Sequence, residues 1–191
     1  NNSISFNTLN EGSYSNCSIT VTDSAGNASS VLSINTFVVD TTAPTLSQVT
    51  AVTTPTKDNT PAYAFSSNEA GTISYGGSSC SQGETSATQG TNSISFGTLS
   101  DGSYSCTITV TDSAGNASTA LSVNTFVVDT TAPTLLQVTA VTTPTKDTTP
   151  SYVFASPEVG TISYGGSCDS DNTSATAGLN TITFNTLSEG S

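Results

Sequence analysis

The chain runs to 191 residues, with no His, Trp or Met, Lys57 and Lys146 as its only basic residues, and fourteen carboxylates that bring the formal net charge to -12. Nucleic acid is excluded as a partner because it needs a Lys/Arg stripe, and an enzyme is not expected because a hydrolytic triad or catalytic zinc needs His or clustered ligands. No apolar stretch reaches the roughly 18 residues of a membrane helix and no signal peptide opens the sequence, which therefore reads as an internal segment of something longer.

Short runs that alternate Val, Ile, Thr, Tyr and Phe with polar residues predict an all-β fold, and these runs repeat. Asn2-Ser-Ile-Ser-Phe6 returns at 92–96 and, as Asn-Thr-Ile-Thr-Phe, at 180–184. Thr22-Asp-Ser-Ala-Gly-Asn27 returns 89 residues later at 111–116, and Phe37 to Leu46 returns as Phe126 to Leu135. That period suits one antiparallel β-sandwich of about 100 residues and is too long for a solenoid turn. Asp-Thr-Thr-Ala-Pro marks the joint in each copy, because Pro44 and Pro133 cannot donate to a central ladder and hold the preceding residue extended. The chain then divides into the C-terminal part of one repeat (1–39), a complete repeat (40–128) and the N-terminal part of a third (129–191).

Seven strands are predicted in the complete repeat. The first lies near Leu46 to Val52, and the second, beyond the turn at 55–61, carries Tyr63 and Phe65 on one face. A turn at 68–71 leads to a third strand with Ile73 and Tyr75. A Gly/Ser-rich excursion from Gly76 to Gly90 holds a short or irregular fourth, and Ile94, Phe96 and Leu99 mark the fifth. In the sixth, Tyr104, Cys106, Ile108 and Val110 alternate with Ser and Thr, which sets one face inward. The turn Asp112-Ser-Ala-Gly-Asn116 leads to the seventh, with Leu121, Val123, Phe126 and Val128, where a change of parity predicts a bulge near Asn124.

Four cysteines allow three pairings, and the repeat discriminates among them: Cys17 is equivalent to Cys106 and Cys80 to Cys168. Only Cys80 and Cys106 share a complete repeat, and they meet if the third and sixth strands are antiparallel neighbours. A disulfide there suits a small core and an oxidising, extracytoplasmic setting, while four buried free thiols are the alternative.

Val-Thr-Asp-Ser-Ala-Gly-Asn followed by Phe-Val-Val-Asp-Thr-Thr-Ala-Pro resembles the bacterial immunoglobulin-like tandem repeats of giant extracellular surface adhesins, and the resemblance covers the whole chain. Tyr104-Ser-Cys106 resembles the tyrosine corner of immunoglobulin domains, whose hydroxyl bonds back to nearby backbone. The resemblance implies an extracellular or bacterial cell-surface location, and calcium as a cofactor at the joints between repeats. Strand order supports the same placement, since the repeat's first residues and the turns after strands two and six fall at one end. That groups Asp40, Glu69, Asp112 and Asn116, with Asp129 and Glu158 at the following joint, and with Asp58 and Asp101 near Asp129 at the opposite pole. Such oxygens are what Ca²⁺ takes. The competing reading is that Asp112 and Asn116 shape an Asx-type turn and Asp40 caps a linker.

The function expected is a structural stalk or spacer of an adhesin-like surface protein, whose partners are neighbouring repeats of the same chain. One alternative is a self-assembling extracellular filament in which identical subunits complete one another's sandwiches. Another is a spacer or carbohydrate-binding module of a secreted enzyme. A glycan is a further candidate ligand, and Asn27, Asn116 and Asn172 sit in Asn-x-Ser/Thr sequons open to covalent glycosylation.

Overall fold

The computed structural model describes residues 3–77, 80 and 83–188; Asn2, which opens the first copy of the repeated motif, and part of the Gly/Ser-rich excursion lie outside them. Two compact units result, Asn1–Thr130 and Thr131–Ser191.

In the first unit, residues preceding Asp40 form β1 (Gly12–Tyr14), β2 (Ser18–Ile19), β3 (Leu32–Ser33) and β4 (Phe37–Val39), with β1 paired to β4 and β2 to β3, both antiparallel. After Asp40 the chain builds β5 (Leu46–Thr50), β6 (Ala62–Ser67), β7 (Gly71–Gly77), β8 (Ser86–Ala87), β9 (Gly90–Ser95), β10 (Gly102–Tyr104), β11 (Cys106–Thr111), β12 (Leu121–Ser122) and β13 (Phe126–Val128). One sheet runs β5-β6-β9, the other β12-β11-β7-β8, and β10 pairs with β13 in a short ribbon. Thr56 joins β13 through a parallel bridge at Val128, donating to the Val127 carbonyl at 2.9 Å and accepting from Asp129 N at 2.9 Å.

The period-two pattern decides what faces inward. On β6, Tyr63, Phe65 and Ser67 are buried; on β11, Cys106, Ile108 and Val110 are buried while the intervening Thr side chains are half-buried. Together with Val52, Ile73, Ile94, Phe96, Val123, Phe126 and Val128 they close one core between the sheets. Phe126 stacks on both Phe96 and Tyr104, with ring centroids 5.6 and 5.5 Å apart, and the Tyr104 hydroxyl donates to the Ser100 carbonyl at 2.7 Å. Tyr14 makes the same bond to Asn10, also at 2.7 Å.

Nine paired segments stand where the sequence suggests seven strands, because the sixth and seventh runs each break in two. Tyr104 faces Phe126 but Thr107 faces Ser122, so three steps on one strand oppose four on the other. The extra residue lies within 123–125 and lets both Val123 and Phe126 turn inward. Asn124 then spends its side chain on Val52, accepting from its N at 2.9 Å and donating to its carbonyl at 2.9 Å, so an amide side chain replaces a strand pairing.

Cys80 and Cys106 form a disulfide with Cα atoms 5.7 Å apart. Cys106 faces Gly77 across the β7–β11 ladder. Gly77 has φ +100°, and a Cβ there would lie 2.3 Å from the Ser105 carbonyl oxygen, so only glycine lets the chain turn off β7 toward Cys80.

The second unit repeats the first half of this plan: β14 (Leu136–Thr139), β15 (Ser151–Ser156) and β18 (Gly178–Thr183) form a three-stranded sheet, and β16 (Gly160–Thr161) pairs with β17 (Ser174–Ala175). Cys17 and Cys168 are free thiols, the first half-buried and the second exposed.

The bridge spans 26 residues, and closing a loop of that size stabilises by about 3.5 kcal/mol in the chain-entropy picture. Replacing Cys80 and Cys106 together by Ala is expected to lower the unfolding free energy of the first unit by about that amount, read from paired urea titrations.

Candidate functional site

Three structural elements converge where residue 40 enters the complete repeat. The β6–β7 turn is fixed by Ser67, whose hydroxyl donates to the Glu69 carbonyl at 2.6 Å, and by Asn68, which accepts from Thr45 N at 2.6 Å and donates its own N–H to the Thr45 carbonyl at 3.2 Å. That double tie holds Glu69 against the segment following Asp40. The turn after β11 is built on Asp112. Its Oδ1 accepts from the backbone N–H groups of Ala114, Gly115 and Asn116 at 2.8, 2.7 and 2.8 Å, an Asx-type turn closed by Gly115 at φ +96°.

The result brings Asp40, Glu69 and Asp112, all half-buried, to where one carboxylate oxygen of each lies within 4.8 Å of the others. Asn116 braces the group: its Nδ2 donates to Asp112 Oδ2 at 2.8 Å and to the Asp40 carbonyl at 3.1 Å. Its side chain therefore cross-links the turn to the linker. A further carboxylate escaped the sequence reading. Glu11 accepts from Thr41 N at 3.3 Å and from the Thr42 hydroxyl, which ties the residues preceding β1 to the linker. Hydrogen bonds from Thr42 and then Thr41 hold its carboxyl below the usual glutamate range. The signal was there, since Glu11-Gly-Ser-Tyr14 matches Asp101-Gly-Ser-Tyr104.

Asp129, exposed just beyond β13, and Glu158, half-buried after β15, belong to different compact units. Glu158 keeps the local geometry of Glu69, with its carbonyl accepting from Ser156 Oγ at 2.7 Å. Asp101 accepts from Thr130 N at 2.9 Å and from its hydroxyl at 2.7 Å, much as Glu11 accepts from Thr41 N and from the Thr42 hydroxyl. Asp58 caps its own turn by accepting from Thr60 N at 2.8 Å. Of the sequon residues, Asn27 and Asn116 both spend Nδ2 on a neighbouring aspartate.

The comparisons bear on this arrangement. Residues 45–130 match the bacterial Ig-like domain family, and residues 1–69 match the bacterial Ig-like domain (group 3) family. Residues 1–130 carry bacterial Ig-like domains. No curated protein and no solved structure matches it. Ig-like repeats of this kind are in general structural and non-catalytic, and often extracellular; the disulfide agrees with such a setting. Among the described residues of this Ig-like chain, no helix is long and apolar enough to cross a membrane.

The Asx turn recurs at Asp23, whose Oδ1 accepts from Ala25 N and Asn27 N and whose Oδ2 accepts from Asn27 Nδ2. Hydrogen bonds from Asn116 lower the Asp112 carboxyl first, with the Gly115 and Ala114 amides adding to them, and Asn27 does the same for Asp23. A carboxylate whose folded pKa is depressed contributes stability that is complete above its unfolded value and is lost as pH falls through the folded one. The Ig-like repeat is thus expected to weaken on acidification below the ordinary aspartate pKa of 3.8. Asp112→Ala should flatten that dependence in urea titrations run across the acid range, and an unchanged slope would contradict the assignment.

Proposed function

We propose that this chain is a structural array of extracellular repeats, a stalk or spacer of a bacterial adhesin-like surface protein, stiffened at its joints by calcium. The observation that carries the reading is the meeting of Asp40, Glu69 and Asp112 at the residue where one repeat hands over to the next. The donor set is all oxygen and formally triply negative, which suits a hard divalent cation in a site of flexible geometry. Asp40, Glu69 and Asp112 would hold the ion, and Asn116 would hold Asp112 and the linker in place for it. The cation would supply charge neutralisation and a cross-link between linker and turns, with no chemical step.

Calcium at 10 mM and a dissociation constant on the order of 0.1–1 mM imply a stabilisation of about 1–3 kcal/mol. Thermal melts in calcium and in chelator should differ accordingly. Glu69→Gln should abolish the difference while leaving the melt in chelator unchanged, because an amide Oε1 can still accept from Asn68 Nδ2 as the Glu69 carboxylate does at 3.1 Å. Identical melts with and without calcium would remove the metal from the proposal. Negative-stain images of a protein with many such repeats should show a beaded rod; a compact globule would contradict the stalk.

A further inference from the structure

Of the three Asn-x-Ser/Thr sequons, the fold uses up two. A sequon offers a glycosyltransferase two groups, the asparagine Nδ2 that takes the sugar and the hydroxyl two residues on. At Asn116, Nδ2 donates to Asp112 Oδ2 at 2.8 Å and to the Asp40 carbonyl at 3.1 Å. The hydroxyl of Ser118 is spent as well, since the residue is buried and its Oγ accepts from Val110 N at 3.0 Å. At Asn27, Nδ2 donates to Asp23 Oδ2 at 3.0 Å, and Ser29 Oγ accepts from Val21 N at 3.0 Å and donates to the Ser30 carbonyl at 2.9 Å. In both places the Asn closes the Asx turn and the Ser pins the chain behind it, so the turn alone accounts for the Asn-Ala-Ser run.

Asn172-Thr-Ser174 is built differently. It stands at the entry to β17, where Thr161 faces Ser174 and Ile162 N donates to the Thr173 carbonyl at 2.9 Å. The Tyr164 hydroxyl donates to the Asn172 carbonyl at 2.6 Å, and Asn172 N donates to Ser170 Oγ at 3.2 Å, so the backbone of the asparagine is held from two sides. The Ser170 hydroxyl, which also reaches the Thr183 carbonyl at 2.6 Å, donates to Asn172 Oδ1 at 3.2 Å. Ser170 is only 4 % exposed, so the amide is anchored by its oxygen end and turns Nδ2 away from the protein. Among the described residues, neither Asn172 Nδ2 nor the Ser174 hydroxyl has a hydrogen-bond partner, and both residues are exposed.

The complete repeat shows how a finished sandwich treats this position. Glu84-Thr-Ser-Ala-Thr88 is the counterpart of Asn172-Thr-Ser-Ala-Thr176. The Tyr75 hydroxyl donates to the Glu84 carbonyl at 2.7 Å, Ile73 N donates to the Thr85 carbonyl at 2.9 Å, and Thr72 faces Ser86. Glu84 and Ser86 are exposed there with both sheets and the disulfide in place. The exposure of Asn172 is therefore a property of this hairpin, and a single exchange of Glu for Asn is what makes it a sequon.

We infer that Asn172 is a site of N-linked glycosylation, and that Asn27 and Asn116 are sequons in composition only. The co-substrate is a glycosyl diphosphate, carried on a nucleoside or on a lipid. Asn172 Nδ2 attacks its anomeric carbon, the bond from that carbon to the diphosphate oxygen breaks, and Nδ2 gives up one proton to the transferase. The products are the N-linked sugar and the free diphosphate. The inference does not depend on calcium at the joints.

The test presents the folded, oxidised 191-residue chain to a soluble asparagine glycosyltransferase with UDP-glucose, and reads intact mass followed by peptide mapping. The mass should rise by one hexose residue, mapped to Asn172, while the peptides holding Asn27 and Asn116 stay unmodified. Asn172→Gln should lose the increment. Glu84→Asn writes the same Asn-Thr-Ser run into the complete repeat and should raise the increment to two hexoses. On chain recovered from the cells that make it, a single sugar at Asn172 marks a nucleotide-linked donor and a preassembled oligosaccharide a lipid-linked one. An unmodified Asn172 in either preparation, a sugar on Asn27 or Asn116 of the folded chain, or a Glu84→Asn chain that still takes one hexose would each overturn the inference.

Discussion

Strand β11 is the constraint on which the rest of this molecule depends. Its inward residues, Cys106, Ile108 and Val110, are sealed in the core, and its edges are taken by β7 and β12. A one-residue slip would send that whole set to the other face, so the hydrophobic pattern fixes the register and the register fixes the neighbours. Cys106 is thereby set beside Gly77 and within reach of Cys80. At the other end of the same strand, Asp112 is delivered to the pole where Asp40 and Glu69 stand. Core, cross-link and acidic cluster are three results of one alignment.

Much of this could be read from the residues. The all-β, Ig-like character was legible because strand alternation is local and because the repeat displayed it more than once. The grouping of Asp40, Glu69 and Asp112 follows from strand order, which places one linker and two turns at the same pole. The number of ladder segments was not legible. The change of parity between Val123 and Phe126 marked the bulge near Asn124, but Ser105 continues the alternation of its run in sequence, and only the mismatch between three steps and four interrupts the pairing there.

Two features of the candidate site emerged only from contacts made in the fold. Asn116 read as an oxygen donor, yet its amide nitrogen is the atom turned toward Asp112 and the Asp40 carbonyl. Which end of an amide faces a cluster depends on the acceptors around it, and two acceptors lie there. Glu11 is separated from Thr42 by 31 positions, and its partnership with the linker came to light only with the fold. Asp101 likewise accepts from Thr130, the counterpart of Thr41, so a carboxylate preceding Gly-Ser-Tyr grips each linker.

The position of the Cys80–Cys106 bridge also governs how such a repeat yields to tension. A pull applied along the chain passes from residue 80 to residue 106 through sulfur, bypassing the 26-residue segment between them. At roughly 3.3–3.6 Å per extended residue, that segment withholds about 90 Å of slack from a repeat that has been torn open. An oxidised array therefore has a shorter reach than its length in residues implies, and a reducing environment would lengthen the tether without altering a single residue.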